Sequence, residues 1–197
     1  FVGSRGLGDV YKRQGFEIYI PYNNLEKVFD VVYAKNGKSP VKLAGYHALN
    51  SLRMEKGYLH WGHDIGVEEN PFEAGVGFCV NLNKKNPFLG QAALEEKKKS
   101  GLSKRKVNFA LSNNDLLIYH NEPIYFDGKI VGEISSGMYG FYLDKSLGMG
   151  YISNNDSYSI EEMMSHQKFE IEVAETKYSA EGSINCFYDP GREKILV

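Results

Sequence analysis

Six residues, HWGHDI from His60 to Ile65, bring two imidazoles, the sole tryptophan, a carboxylate and a glycine into one short stretch. Nitrogen and oxygen donors at HxxHD spacing suit a metal site or a histidine–aspartate relay. A structural zinc site needs a fourth ligand, however, and Cys79 and Cys186 form no CxxC pair, while the helical HExxH spacing is absent. A relay needs a nucleophile, and the chain has neither a GxSxG elbow nor a cysteine-nucleophile signature. The stretch therefore reads as a folded loop. Gly57 and Gly62 make its turns, Trp61 packs, and the imidazoles and Asp64 hydrogen-bond locally. No metal ligand is assigned.

Other polar residues sit among apolar neighbours. In GFEIYIP, Glu17 and Tyr19 share one face of an alternating strand, because side chains two residues apart point the same way. A carboxylate placed there can accept paired N–H donors from a planar heterocycle. Arg53 lies one residue after Leu52 and four after Leu49, at the border of an apolar helix face where a guanidinium is rarely fully solvated. It can bind a carboxylate or pair with Glu17. The plain alternatives are an exposed edge-strand glutamate and an arginine that lays its stem along apolar surface.

Periodicity supplies the elements that must hold these residues. Phe16, Ile18 and Ile20 alternate with Glu17 and Tyr19 up to Pro21, the pattern of a half-buried strand. Leu25, Val28, Phe29 and Val32 recur at helical spacing, with Asn23 or Asn24 available as cap. After the turn-rich NGKSP, a helix is predicted from about Tyr46 to Lys56, with Ala48, Leu49 and Leu52 on one face and Gly57 at its C′ position. HWGHDI then lies just beyond that helix. NPFEAGVGFCVNL predicts a short apolar strand, and NPFLGQAALEEKKKSG a helix closed by Gly101. From about Lys106 the chain becomes a series of short strands: VNFALS, LLIYH, PIYF, KIVGEISS, GFYL, GMGYIS, FEIEVAE and KYSAEG. Asp127-Gly128 marks a two-residue hairpin, and a compact antiparallel barrel or jelly roll is the natural package. The boundary falls near residues 100–105.

Composition narrows the class. With 197 residues, 42% of them apolar, the chain can bury one sizeable core or two modest ones, and 13% aromatic residues argue against disorder. A formal charge of −2 leaves no basic excess for phosphate backbones, so nucleic acid is not an expected partner. No apolar run approaches eighteen residues and no signal peptide is evident, so no membrane segment is expected. Two cysteines far apart suit a reducing compartment and read as buried thiols. The chain starts at Phe1 rather than methionine and is expected to be a piece of a longer reading frame. Its first fourteen residues, FVGSRGLGDVYKRQ, show neither helical nor strand periodicity and resemble translated adapter sequence. Gly3, Gly6 and Gly8 do not fit a phosphate loop, because no strand precedes them and no Lys-Ser/Thr follows.

GFEIYIP, AGYHALNSLRMEKGYLHWGHDI, ENPFEAGVGFCV, FLGQAAL and VGEISSGMYGFYLDKSLGMGYI resemble, in this order, the glycine cleavage T-protein (aminomethyltransferase) family. They look most like the tetrahydrofolate-binding C-terminal region of dimethylglycine and sarcosine dehydrogenases. The resemblance implies an α+β fold: the C-terminal part of a folate-binding antiparallel-sheet and helix domain over residues 15–102, then a small all-β antiparallel barrel, jelly-roll-like, over 103–197. Residues 1–14 fall outside it. Glu17 matches the glutamate that hydrogen-bonds the pterin, and Tyr19 an aromatic beside it. Arg53 matches the SLR arginine associated with the folate site, and Tyr188 of CFYDP matches more loosely an aromatic closing over the pocket. An acidic Gly-Glu-x-Gly lead-in normally precedes the glutamate strand, whereas Lys12, Arg13 and Gln14 stand here. The family's catalytic aspartate lies upstream of this chain, so no catalytic residue is assigned, and the fragment alone is expected to be inactive and to bind folate weakly or not at all.

The implied function is passage of the carbon from demethylation of dimethylglycine or sarcosine to tetrahydrofolate, giving 5,10-methylenetetrahydrofolate, with FAD in an upstream domain of the parent. Alternatives are a free-standing aminomethyltransferase, a folate-dependent demethylase, and a non-enzymatic folate-binding iron–sulfur-assembly protein. The last typically carries KGCYxGQ, but KGYLHWGHDI stands here. The expected compartment is bacterial cytoplasm, or mitochondrial matrix in a eukaryote. Loss of half a domain would leave apolar surface exposed.

Overall fold

The computed structural model describes residues 3–7, 15–33, 41–113 and 115–194. The lead-in Lys12, Arg13 and Gln14 and the turn-rich 36–40 lie outside them. The chain forms two compact units, residues 1–45 and 46–197.

In the first unit, strand β1 (Gly3–Leu7) pairs antiparallel with β2 (Gly15–Tyr19), with Gly3 opposite Tyr19 and Leu7 opposite Gly15. Alternation marked β2 but not β1. A ladder is made of backbone N–H and C=O groups, so a strand can form without a patterned sequence. A 3₁₀ turn at Tyr22–Asn24 leads into helix α1 (Leu25–Tyr33), whose apolar residues Leu25, Phe29 and Val32 remain about half exposed. Phe29 stacks on Tyr33 at 5.4 Å.

The second unit is built on a closed antiparallel barrel of six strands: β3 (Lys104–Leu111), β4 (Pro123–Phe126), β5 (Lys129–Gly140), β6 (Lys145–Ser153), β7 (Phe169–Val173) and β8 (Thr176–Ser183). Their order is β3-β6-β5-β4-β7-β8, and β8 returns to β3, so no edge is left unpaired. Alternation along β3 sends Val107, Phe109 and Leu111 inward, where they meet Ile118, Ile124, Phe126, Ile134, Ile152, Phe169 and Ile171. Ala110, Leu147 and Met149 face outward and are covered by Met54 of helix α2 (Tyr46–Glu55). The expected Asp127-Gly128 turn joins β4 to β5, with φ of 49° and 79°. Two positive φ angles are what a type I′ hairpin requires.

Helix α2 ends where the sequence places its stop. The Gly57 N–H donates to Met54 O at 3.2 Å and the Tyr58 N–H to Arg53 O at 2.9 Å, a Schellman pair with Gly57 at φ 64°. Its buried face is not the apolar one. Ser51, Met54 and Glu55 are buried, whereas Leu49 and Leu52 are 56% and 64% exposed. The cause is polar complementarity with the β5–β6 hairpin. Ser51 Oγ donates to Tyr139 O, and Glu55 Oε1 accepts the N–H groups of Tyr142 and Leu143 at 2.8 and 3.1 Å. Those bonds hold GFYL as the turn between β5 and β6, where alternation had predicted a strand.

Other expectations shift for similar reasons. GVGFCVNL contains a 3₁₀ turn at Gly77–Cys79 rather than a strand. The predicted third helix is α3 (Gln91–Ser100), stopped at Gly101 with φ 81°. LLIYH is not a strand either: Ile118 enters the barrel core, and its N–H donates to Ser146 Oγ at 3.4 Å. An additional helix, α4 (Ile160–His166), opens with a capping box in which the Glu162 N–H donates to Ser159 Oγ and the Ser159 N–H to Glu162 Oε2. Ser159→Ala should lower the chemical-denaturation free energy of the barrel unit by about 1 kcal/mol. Unchanged urea midpoints would show that the box contributes nothing. Both cysteines are free, with Cys79 exposed rather than buried. No helix among the described residues is long and apolar enough to cross a membrane.

Candidate functional site

The HWGHDI loop is anchored by its aspartate. The side chain of Asp64 is wholly buried and that of Arg53 is 12% exposed, and Arg53 Nη1 donates to Asp64 Oδ2 at 2.8 Å. The same Oδ2 accepts the His60 backbone N–H at 2.8 Å, and Oδ1 accepts the Ser135 hydroxyl at 2.6 Å. Three more Arg53 N–H groups are taken: Nε by Asn50 Oδ1 at 2.7 Å, Nη1 by Tyr58 O at 3.2 Å, and Nη2 by Ser136 Oγ at 2.9 Å. The guanidinium thus ties α2, the loop and β5 together. Its carboxylate partner is Asp64.

Adjacent serines on a regular strand would point to opposite sheet faces. Here a bulge between Ile134 and Ser136, where Ile134 opposes Gly150 and Ser136 already opposes Met149, inserts Ser135 as an extra residue. That one-residue insertion lets Ser135 and Ser136 both serve the ion pair. On β6, the Tyr151 hydroxyl donates to Asp64 O at 2.8 Å. Burial, reinforced by Glu69 and Asp64, pushes its phenol well above the usual range and keeps it a donor.

Beside the pair lies a cavity of about 180 Å³ lined by Asn50, Arg53, His60, His63, His120 and Ser136, among others. The His60 and His63 rings are 5.5 Å apart, and His63 and His120 6.3 Å. Among the described residues no group of three or more histidine, cysteine, aspartate or glutamate side chains has the geometry to hold a metal. Gly62 makes its turn with φ 83°. Trp61 differs from expectation: it is 67% exposed rather than packed. A larger cavity, about 710 Å³, opens beyond the helix end between Lys56, Tyr58, Val76, Phe78, Lys106 and the segment from Ile184 to Arg192.

In the first unit, Glu17 and Tyr19 share a face as alternation predicts, and the Tyr19 hydroxyl donates to Glu17 Oε2 at 2.7 Å. That bond, with the carboxylate charge, raises the phenol above its ordinary value. Both side chains are exposed. Tyr188 belongs to the second unit. Its N–H donates to Glu55 O at 3.1 Å, and its ring meets Tyr142 edge-on at 4.9 Å, with Lys56 and Lys194 nearby at 5.5 and 4.9 Å. Sequence reasoning found Arg53 but not Ser135, Ser136 or Tyr151. They lie 71 or more residues from Asp64, and only the barrel brings them to it.

Two family models match the chain: the GCVT N-terminal domain over residues 12–84 and the glycine cleavage T-protein C-terminal barrel domain over residues 104–189. Among similar proteins, 4-methylaminobutanoate oxidase (formaldehyde-forming) of Paenarthrobacter nicotinovorans is 35% identical over 92% of this chain and 21% of its own length. Mitochondrial sarcosine dehydrogenase of Homo sapiens is 31% identical over 92% of this chain and 20% of its own. The chain therefore spans about a fifth of the length of these relatives. Among solved structures, the glycine cleavage system aminomethyltransferase T from Bartonella henselae shares the fold, with TM-score 0.69 and 22% identity over 90% of this chain and 47% of that one.

Proposed function

The chain belongs to the glycine cleavage T-protein family, a folate-dependent family that includes dehydrogenases, and from that premise we propose that it is the tetrahydrofolate-binding portion of a one-carbon-transfer enzyme. In this reading the intact protein passes the carbon released by demethylation of dimethylglycine or sarcosine to tetrahydrofolate, giving 5,10-methylenetetrahydrofolate. FAD would serve the oxidation in a part of the parent outside this chain. Residues 15–102 supply the folate-domain portion and 103–197 the barrel. The N-methylamine oxidase and sarcosine dehydrogenase among its relatives support this branch over a free-standing aminomethyltransferase.

The observation that carries the reading is the Glu17–Tyr19 pair. An aminopterin ring presents adjacent N–H groups, and a carboxylate is the acceptor that complements them. Glu17 is solvent-exposed with one oxygen held by Tyr19, so its orientation is set while acceptor capacity remains. The residues present fit the group on these grounds. Within the second unit Arg53 acts indirectly: with four of its N–H groups engaged by Asn50, Tyr58, Asp64 and Ser136, it holds the wall of its own cavity rather than a ligand. Tyr188, on the second unit, is kept in this proposal as an aromatic contact for the folate, its ring set edge-on to Tyr142. The chemistry these residues supply is binding and orientation, and proximity is their main contribution to rate.

Calorimetric titration of the intact parent protein with a tetrahydrofolate analogue tests this. Glu17→Gln keeps the shape and removes the charge, and should weaken binding at least about tenfold, the worth of one charge-assisted hydrogen bond. Equal affinity in parent and variant would remove Glu17 from the site.

A further inference from the structure

Lys106 is 7% exposed, and its Nζ donates to Asn108 Oδ1 at 3.0 Å. Asn108 cannot turn its amide round, because its Nδ2 already donates to the carbonyls of Ser183, Ile184 and Asn185 at 3.3, 3.3 and 2.9 Å. Among the described residues no carboxylate lies within ion-pairing distance of Nζ. An ammonium buried with one neutral acceptor and no counter-charge is costly, and a lysine relieves that cost by losing its proton. Burial holds Lys106 down from 10.5 to about 8. The groups around it act in both directions. Asp64 on the loop and Cys186 on the C-terminal segment favour the charged form, while Arg105 on its own strand opposes it. Tyr151 stands opposite on β6, and Lys56 and Arg192 line the same cavity.

That cavity, about 710 Å³, is walled by Leu59, Val76, Phe78 and Ile184 and includes Lys106 in its lining. An unprotonated amine that opens onto a cavity of mixed polar and apolar lining is a nucleophile for carbonyl carbon. Its burial admits only small reagents. We propose that Lys106 captures a small aldehyde from this cavity as a reversible imine. The amine lone pair forms the C–N bond, the carbonyl pair passes to oxygen, and the amine proton moves there to give a carbinolamine. Loss of that hydroxyl with the second amine proton releases one water and leaves the C=N bond. No oxidant or further reactant is needed. The inference goes beyond the folate reading and does not depend on it.

Brief exposure of the folded chain to formaldehyde with cyanoborohydride, followed by peptide mass spectrometry, reads the methylation rate at every lysine. At about pH 7 a group titrating near 8 is unprotonated roughly 300-fold more often than one at 10.5, and its weaker basicity gives back a factor of about ten to twenty. Lys106 should therefore react roughly 15- to 30-fold faster than exposed lysines such as Lys98 and Lys168. The preference should vanish in urea and shrink towards pH 10. In Lys106→Arg, with fold checked by circular dichroism, the fast site should be missing and the slow ones unchanged. Reaction at Lys106 no faster than at exposed lysines overturns the proposal, as does a fast site that survives in Lys106→Arg. Tetrahydrofolate affinity, read on the intact parent protein, reports on the other proposal separately.

Discussion

Asp64→Ala should destabilise the barrel unit by about 3–5 kcal/mol, the range for removing one partner of a buried ion pair. The size follows from what is left behind. Arg53 is 12% exposed, so its charge would lose its counter-ion with little water to replace it. The His60 N–H would lose its acceptor, and Ser135 would keep only the bond its hydroxyl makes to Met149 O at 3.1 Å. A surface pair behaves differently: Lys168 and Asp127, 59% and 44% exposed, should contribute little, and less in salt. Urea midpoints of Asp64→Ala, Arg53→Ala and the double variant decide the matter. The double variant should be clearly more stable than the sum of the singles predicts, because the stranded charge is gone. The loss should also persist at high salt. A loss below about 1 kcal/mol, or simple additivity, would mean that the pair is not the anchor of the HWGHDI loop.

What the sequence discloses about this network depends on the range over which each signal acts. Glu17 and Tyr19 were readable as a pair because a two-residue period is local, and the hydrogen bond between them needs nothing from elsewhere. Gly57 and Asp127-Gly128 were readable because a positive φ is a property of the residue and its turn. The alternating strands gave the barrel for the same reason. The face buried by α2 was not readable. Leu49 and Leu52 say which side is apolar, but Ser51 and Glu55 find backbone partners on a hairpin some ninety residues away, and those contacts decide the orientation. Ser135 and Ser136 depend on a bulge that no periodicity announces. Lys106 looked like the polar start of a strand. Alternation places it on the outward face, and only the covering by the C-terminal segment buries it. Helix α4 is a different case: Ser159 and Glu162 carry the S-x-x-E spacing of a capping box in plain view, hidden among strand-like neighbours.

Gly137→Ala should cost about 3 kcal/mol although it adds a single methyl group. A Cβ at that position would overlap the backbone carbonyl of Ile118, which crosses over β5 in direct contact with it. Ile118 is fully buried in the barrel core, so its segment cannot lift away without opening that core. The cost is steric rather than conformational, since Gly137 is not among the glycines with positive φ. Gly128→Ala provides the contrast: φ is 79° there with open space around it, so only backbone strain applies, about 1 kcal/mol. Truncating the neighbour separates the two possible obstacles. If the carbonyl is the limit, Ile118→Gly, which removes the Cβ that also comes close, cannot rescue Gly137→Ala and should add its own loss for an emptied core site. Rescue by that truncation would instead place the obstacle in the Ile118 side chain. Gly137 follows Ser136 on the same strand, so a shifted β5 should also lengthen the Arg53–Ser136 contact at 2.9 Å.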